Sequence, residues 1–222
     1  DQLATGVAHE IRNPLASIGL GLRAALTDIE RGETGEASVA LRLIEPEIER
    51  CVGIASSLLK LSTPTGSHLD LVILDEVIRD VVALLGYEAE SRKVVIALEL
   101  EENLRSIASD SEMRMVVINL AQNALHAMPD GGVLSIAAHR DGATVVAEVG
   151  DTGVGIRPED LDRIFMPFWS HRADGVRGTG LGLAICRNIV RRVGGSLTVV
   201  STVGQGSRFT LRMPDADHRQ AE

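Results

Sequence analysis

Over the first 62 residues the apolar side chains recur at intervals of three and four. They are Ala4, Val7, Ile11, Leu15, Ile18, Leu22, Ala25 and Ile29, then Ile44, Ile48, Cys51, Ile54, Leu58 and Leu61. That spacing marks an amphipathic helix and excludes a strand, whose apolar period is two. The polar stretch "RGETGE" (31–36) divides the run. The pattern therefore predicts two long helices, 1–31 and 38–62, joined as a hairpin. One hairpin leaves part of each stripe uncovered. A second copy would cover both and close a four-helix bundle, so a homodimer through residues 1–62 is expected.

The grammar changes at "STPTGSH" (62–68), a stretch of breakers and small polar residues that predicts a linker at 63–68. Beyond it helical and strand patterns alternate. "LDEVIRDVVALL" (74–85) reads as a helix and "KVVIALEL" (93–100) as a strand. Residues 109–128 read as a helix capped by Ser109 or Asp110. Residues 131–151 form a β-hairpin turning at Asp141-Gly142. "RPEDLDRIF" (157–165) reads as a short helix with Pro158 near its start, and 181–193 as a helix stopped by Gly194-Gly195. "SLTVVST" and "SRFTLRM" make a last hairpin. The expected fold of residues 69–215 is an α+β sandwich, with helices on one face of a mostly antiparallel sheet, and 216–222 form a tail.

Composition removes several function classes. A net charge of −9 disfavours a nucleic-acid partner, which needs clustered Lys and Arg. Cys51 and Cys186 lie far apart with no pairing or zinc pattern, which points to a reducing compartment. No apolar run reaches the roughly 18 residues of a membrane span, and no signal peptide is evident. The chain begins mid-pattern at Asp1, as a piece of a longer protein would.

Four stretches carry candidate chemistry. In "VAHEIRNPLASI" (7–18), His9 falls roughly 165° from the centre of the apolar stripe on a helical wheel, so it faces outward. Asn13 shares that face one turn on. Pro14 then removes a helical hydrogen bond, at about 3 kcal/mol. A neutral imidazole is a nucleophile, and the carboxylate of Glu10 can take its proton or fix its tautomer. A lone exposed histidine is also common without any role, so this stretch alone leaves both readings open. "NLAQN" (119–123) sets Asn119 and Asn123 one turn apart, and a carboxamide oxygen suits Mg²⁺. "DTGVG" (151–155) follows a strand with a carboxylate and two glycines that permit close approach of a ligand, a pattern shared with ordinary turns. "GTGLGLAI" (178–185) leads glycines into a helix N-terminus, a natural phosphate site, yet is neither a Walker A loop nor a Rossmann fingerprint.

Taken together, these stretches resemble the transmitter region of bacterial sensor histidine kinases. "AHEIRNPLASI" looks like the phospho-acceptor box, "NLAQNA" like the N box, "DTGVGI" like the G1 box, "IFMPFW" like the F box and "GTGLGLAI" like the G2 box, in the family's order. The details look closest to the nitrogen- and dicarboxylate-responsive branch. The resemblance implies a dimerisation and phosphotransfer hairpin (1–62), followed by a Bergerat-type ATP-binding domain shared with gyrase, Hsp90 and MutL. It implies transfer of the ATP γ-phosphoryl group to His9 and then to an aspartate of a response regulator receiver domain. Glu10 would activate His9, and Asn13 would help dephosphorylate the regulator. Asn123 would hold Mg²⁺, with Asn119 and His126 beside the phosphates. His126 stands where many relatives carry Lys. Asp151 would read the adenine amino group, in a pocket lined by Gly153, Gly155, Ile156 and Phe168. Gly178, Thr179, Gly180, Leu181, Gly182 and Leu183 would form the phosphate-side turn. "SHRADGVR" (170–177), with Arg172, would be a lid. Met166 and the run Trp169 to Arg172 depart from the family's usual F-box residues. The resemblance also implies work in the cytoplasm, with anchoring of the parent protein to a membrane left open.

Overall fold

The computed structural model describes residues 2–62, 69–169 and 180–218. Within the two N-terminal helices, side chains are described over residues 11–48 and at Cys51. The expected linker (63–68), the lid (170–177), Gly178, Thr179 and the last four residues lie outside the described residues.

Two helices come first, α1 (Gln2–Glu30) and α2 (Thr34–Ser62). The turn between them is a Schellman closure. Gly32 takes φ +78°, its N–H donates to the Ile29 carbonyl at 3.0 Å, and the Glu33 N–H donates to the Asp28 carbonyl at 2.8 Å. Pro14 sits inside α1 and Pro46 inside α2 without ending either helix. Within the hairpin the buried residues are small or compact: Pro14, Ala25, Ala37 and Ile44. Gly21 makes this approach possible, because a Cβ there would lie 2.7 Å from Ile44 Cγ1. The rest of the stripe stays open. Leu15, Leu22, Leu26 and Ile29 share one face of α1 and each is about half exposed.

The second part is built from β1 (Asp70–Ile73), α3 (Leu74–Ser91), β2 (Val94–Leu100), β3 (Arg105–Ala108) and α4 (Asp110–Ala127). Then come β4 (Gly132–Asp141), β5 (Thr144–Asp151), α5 (Gly182–Arg192), β6 (Ser196–Thr202) and β7 (Gly206–Pro214). Five strands form one sheet in the order β2-β4-β5-β7-β6, antiparallel except for the β2–β4 pair. One sheet face is apolar: Leu134, Ile136, Ala138, Val145, Ala147, Val149, Leu197, Phe209, Leu211 and Met213 are all buried on it. The apolar stripes of α3, α4 and α5 join these residues in a single core. The α+β sandwich expected from the sequence is the fold observed.

In the hairpin α2 begins at Thr34 rather than at residue 38, and in the second part three details differ from the expectation. β1 and β3 pair as a small separate antiparallel sheet, and each is only four residues long, too short for a clear pattern of its own. α3 runs to Ser91 rather than residue 85, since Leu85 and Ala89 continue its buried stripe. Residues 157–165 hold a single 3₁₀ turn, Pro158–Asp160, instead of a short helix. Asp160 is buried there, Arg157 Nε donates to its carboxylate at 2.8 Å, and the chain goes on in isolated turns such as the Met166 N–H to Arg163 carbonyl bond at 2.8 Å.

Candidate functional site

The site is assembled around the C-terminal half of α4. Ser109 is its N-cap, but the Ser109 hydroxyl pairs with Ser111 Oγ at 3.1 Å instead of capping the helix. Asn119 and Asn123 are half-buried, one turn apart. Asn119 Nδ2 donates to the Met115 carbonyl at 2.8 Å, which turns Oδ1 toward α5. There it meets Gly182: a Cβ on that residue would lie 2.6 Å from Asn119 Oδ1. Among the described residues the Asn123 carboxamide takes no hydrogen bond. His126 lies half-buried in the last turn.

The loop 151–156 docks on the end of the same helix. The Val154 N–H donates to the Ala127 carbonyl at 3.0 Å. A Cβ on Gly153 would come within 2.7 Å of the Ala127 carbonyl carbon. On its other side the loop is clasped by the β6–β7 turn. The Gly204 N–H donates to the Val154 carbonyl at 2.8 Å, and a Cβ on Gly155 (φ +71°) would lie 2.8 Å from the Thr202 carbonyl carbon. The glycines of this loop are therefore required by the closeness of two backbones. Asp151, at the end of β5, is 9% exposed. Burial raises its pKa above the ordinary carboxylate value, while the Gly153 N–H, at 2.8 Å, and the Ser207 N–H and hydroxyl pull it back down.

The N-terminus of α5 closes the third side. Gly180 takes φ +66° and packs so tightly on the F-box segment that a Cβ would lie 2.7 Å from the Trp169 nitrogen. Phe168 is itself left-handed at φ +66°, a costly conformation for an aromatic residue. Arg187, from the second turn of α5, anchors that segment. It donates to the Phe165 carbonyl at 3.2 Å and stacks 4.9 Å over the Phe165 ring. Leu181 caps α5 without a side-chain hydrogen bond, and no acid lies in the first turn. The positive end of the helix is thus not neutralised by its own side chains, as an anion site requires. At the far ends, Arg192 clamps Glu112 at 2.5 and 2.6 Å and fixes α5 against α4.

Residues 1–66 match the His Kinase A (phospho-acceptor) domain, and residues 108–217 match the histidine kinase-, DNA gyrase B- and HSP90-like ATPase family. The catalytic domain of the histidine kinase ThkA is 30% identical, with a TM-score of 0.60, and the match covers 66% of this chain and 95% of that one. The chain belongs to the histidine kinases. A second solved structure, ThkA in complex with the response regulator protein TrrA, is 27% identical over 99% of this chain and 63% of that one, with a TM-score of 0.80. The sensor histidine kinase ZraS of Escherichia coli (strain K12) is 40% identical over 215 residues, 96% of this chain and 45% of ZraS. The chain therefore spans under half the length of the curated relatives it matches.

In histidine kinase terms, the structure brings Asn119, Asp151, Gly153, Gly155, Ile156, Phe168, Gly180, Leu181, Gly182 and Leu183 together around α4. His9 and Glu10 lie on α1, but their side chains are outside the described residues, as are Arg172, Gly178 and Thr179. Asn13 is exposed on α1, as its wheel position predicts. No described helix is long and apolar enough to cross a membrane. Cys186 is packed in the core, its thiol pushed up to about 12 by burial, so it stays protonated and inert. Sequence reasoning missed Ser201, Ser207 and Gly206. The only signal was the spacing of "STVGQGS" (201–207), which reads as an ordinary hairpin end until the strands are paired.

The residues present fit an adenine nucleotide. A buried carboxylate closes one end, and a helix N-terminus with no acid in its first turn closes the other. The carboxamide of Asn123 is a hard oxygen donor of the kind Mg²⁺ takes.

Proposed function

We propose that this chain is an ATP-dependent protein histidine kinase of a two-component system. The observation that carries the reading is the convergence of the N-box, G1, F-box and G2 segments on α4, in a chain whose first helix carries His9. Asp151 accepts the adenine amino group, and the loop 151–156 holds the base. The N-terminal amides of α5 and Asn119 receive the phosphates. Asn123, with His126 nearby, holds Mg²⁺, which neutralises phosphate charge when bound. The His9 ring nitrogen attacks the γ-phosphorus. An N–P bond forms, the P–O bond to ADP breaks, and the imidazole proton passes to Glu10. The phosphoryl group then moves to an aspartate carboxylate of a response regulator, the class of partner bound by ThkA in its complex with TrrA. Asn13 is exposed on the helix that bears His9, where it can orient water for the reverse task of dephosphorylating that regulator. The open stripe of Leu15, Leu22, Leu26 and Ile29 is covered by a second copy, which makes the four-helix bundle.

The test is incubation with γ-labelled ATP and Mg²⁺, for the unmodified chain and for His9→Gln. Label that is lost in acid, kept in base and absent from the variant is the expected result. Sustained ATP hydrolysis by both proteins, with no label on either, would instead mark an ATPase that shares the nucleotide fold. Binding of ATP without label or hydrolysis would mark a nucleotide-dependent scaffold or regulator phosphatase.

A further inference from the structure

Behind the base pocket lies a row of three side chains on adjacent strands. Asp151 of β5 is in register with Ser207 of β7, and Ser207 is in register with Ser201 of β6. All three point to the covered face of the sheet. Ser201 Oγ and Ser207 Oγ are 3.0 Å apart. Ser207 contacts the Asp151 carboxylate through both its N–H and its hydroxyl. Ser201 also reaches the opposite wall: the Ile156 N–H donates to Ser201 Oγ at 2.8 Å, and Ser201 Oγ donates to the Gly206 carbonyl at 2.8 Å.

The two hydroxyls hold two protons and face three acceptors: the Asp151 carboxylate, the Gly206 carbonyl and each other. An ionised carboxylate is the strongest of these, so it takes the Ser207 proton. Ser207 is then left with its lone pairs toward Ser201, whose own proton is shared between Gly206 and Ser207. Each bond polarises the next. Ser201 therefore fixes the donor that fixes Asp151, and at the same time holds the turn that carries Ile156. No other described hydroxyl bridges the two walls of the pocket.

We infer that Ser201 is a positioning residue for recognition of the base, acting through Ser207 on the Asp151 carboxylate and directly on the Ile156 backbone. This rests on the reading that Asp151 accepts the adenine amino group. A residue of merely structural worth would weaken every nucleotide alike. A residue that aims the carboxylate affects only bases with an amino donor.

The experiment compares dissociation constants of ATP and inosine triphosphate for the full chain, Ser201→Ala and Ser201→Thr. Inosine triphosphate carries the same phosphates but an acceptor oxygen where ATP has its amino group. The unmodified chain is expected to prefer ATP. Ser201→Ala should lower that preference about fivefold, the worth of one neutral hydrogen bond. Ser201→Thr keeps the hydroxyl and should restore most of it. An unchanged preference in Ser201→Ala, or equal losses for both nucleotides, overturns the role of Ser201. No preference in the unmodified chain overturns the adenine reading of Asp151, and the role of Ser201 with it. If Ser201→Ala does not fold, Ser201→Cys, which keeps the size but replaces the hydroxyl by a weakly bonding thiol, gives the same comparison at the same position.

Discussion

Gly153→Ala probes the joint on which the whole site depends. The new methyl would sit 2.7 Å from the Ala127 carbonyl carbon and 2.9 Å from Ala127 Cβ, with the carbonyl oxygen nearer still. These are backbone and Cβ atoms of a helix, so no flexible side chain can yield. The loop must lift off α4, and the Val154 N–H to Ala127 bond, 3.0 Å long, goes with it. Forcing one methyl into a packed contact costs about 1–3 kcal/mol. The lost hydrogen bond adds about 1 kcal/mol. The loss of glycine's freedom in the unfolded chain returns about 0.4–1 kcal/mol. The net is about 1–3.5 kcal/mol, a fall in Tm of roughly 2–14 °C for a domain of this size. Asp151 bonds the Gly153 N–H at 2.8 Å, so ATP binding should fall by more than the stability alone explains. Gly86→Ala is the control: nothing lies within 4 Å of its position inside α3, so it should stabilise the helix by up to about 1 kcal/mol. Thermal melts and nucleotide titration of both variants decide the matter. A Gly153→Ala protein that melts with the unmodified chain and binds ATP normally would show that the loop is not seated on α4.

Two further outcomes follow from the geometry. Asp151 has a folded pKa above its unfolded value, so its ionised form costs stability at neutral pH and that cost is relieved as pH falls through the raised value. Binding runs the other way: ATP affinity should decline as pH falls through the same window, beginning above the ordinary carboxylate range. Asp151→Asn should therefore leave the unliganded protein as stable or more so at pH 7, yet weaken ATP by roughly ten- to hundredfold, the worth of a hydrogen bond to a charged group. Calorimetry at several pH values reads both, and an Asn variant that binds ATP normally refutes the role. In the hairpin, Gly21→Ala gains about 1 kcal/mol of helix propensity but drives a methyl against Ile44 Cγ1. It should be neutral or destabilising alone and turn stabilising in an Ile44→Ala background, in denaturation at fixed protein concentration. The same sign in both backgrounds would mean that α1 and α2 do not meet there.

The hairpin was legible because its pattern is long: a period of 3.6 kept over two helices of 29 residues leaves no other solution. The sandwich was legible because its strands alternate and its glycines sit where two segments must turn. What the sequence did not display was everything set by pairing across strands. Residues 70–73 and 105–108 are too short to show a period, and they exist as strands only because each completes the other. The segment 157–165 has helical composition, yet it holds only the 3₁₀ turn Pro158–Asp160, since tertiary context decides where local preference is weak. The site divides along the same line. Asn119, Asp151 and the glycines lie in short runs whose residue types announce polar groups and closely approaching backbones. Ser201 and Ser207 belong to an unremarkable hairpin and become part of the pocket only when the register sets them beside Asp151. A residue that acts through its neighbour's hydrogen bond leaves no composition signal, since the same serine is equally at home on any strand. Its role is a property of the three-strand row, and a change in register of one residue would turn Ser201 to the open face and remove it from the site altogether.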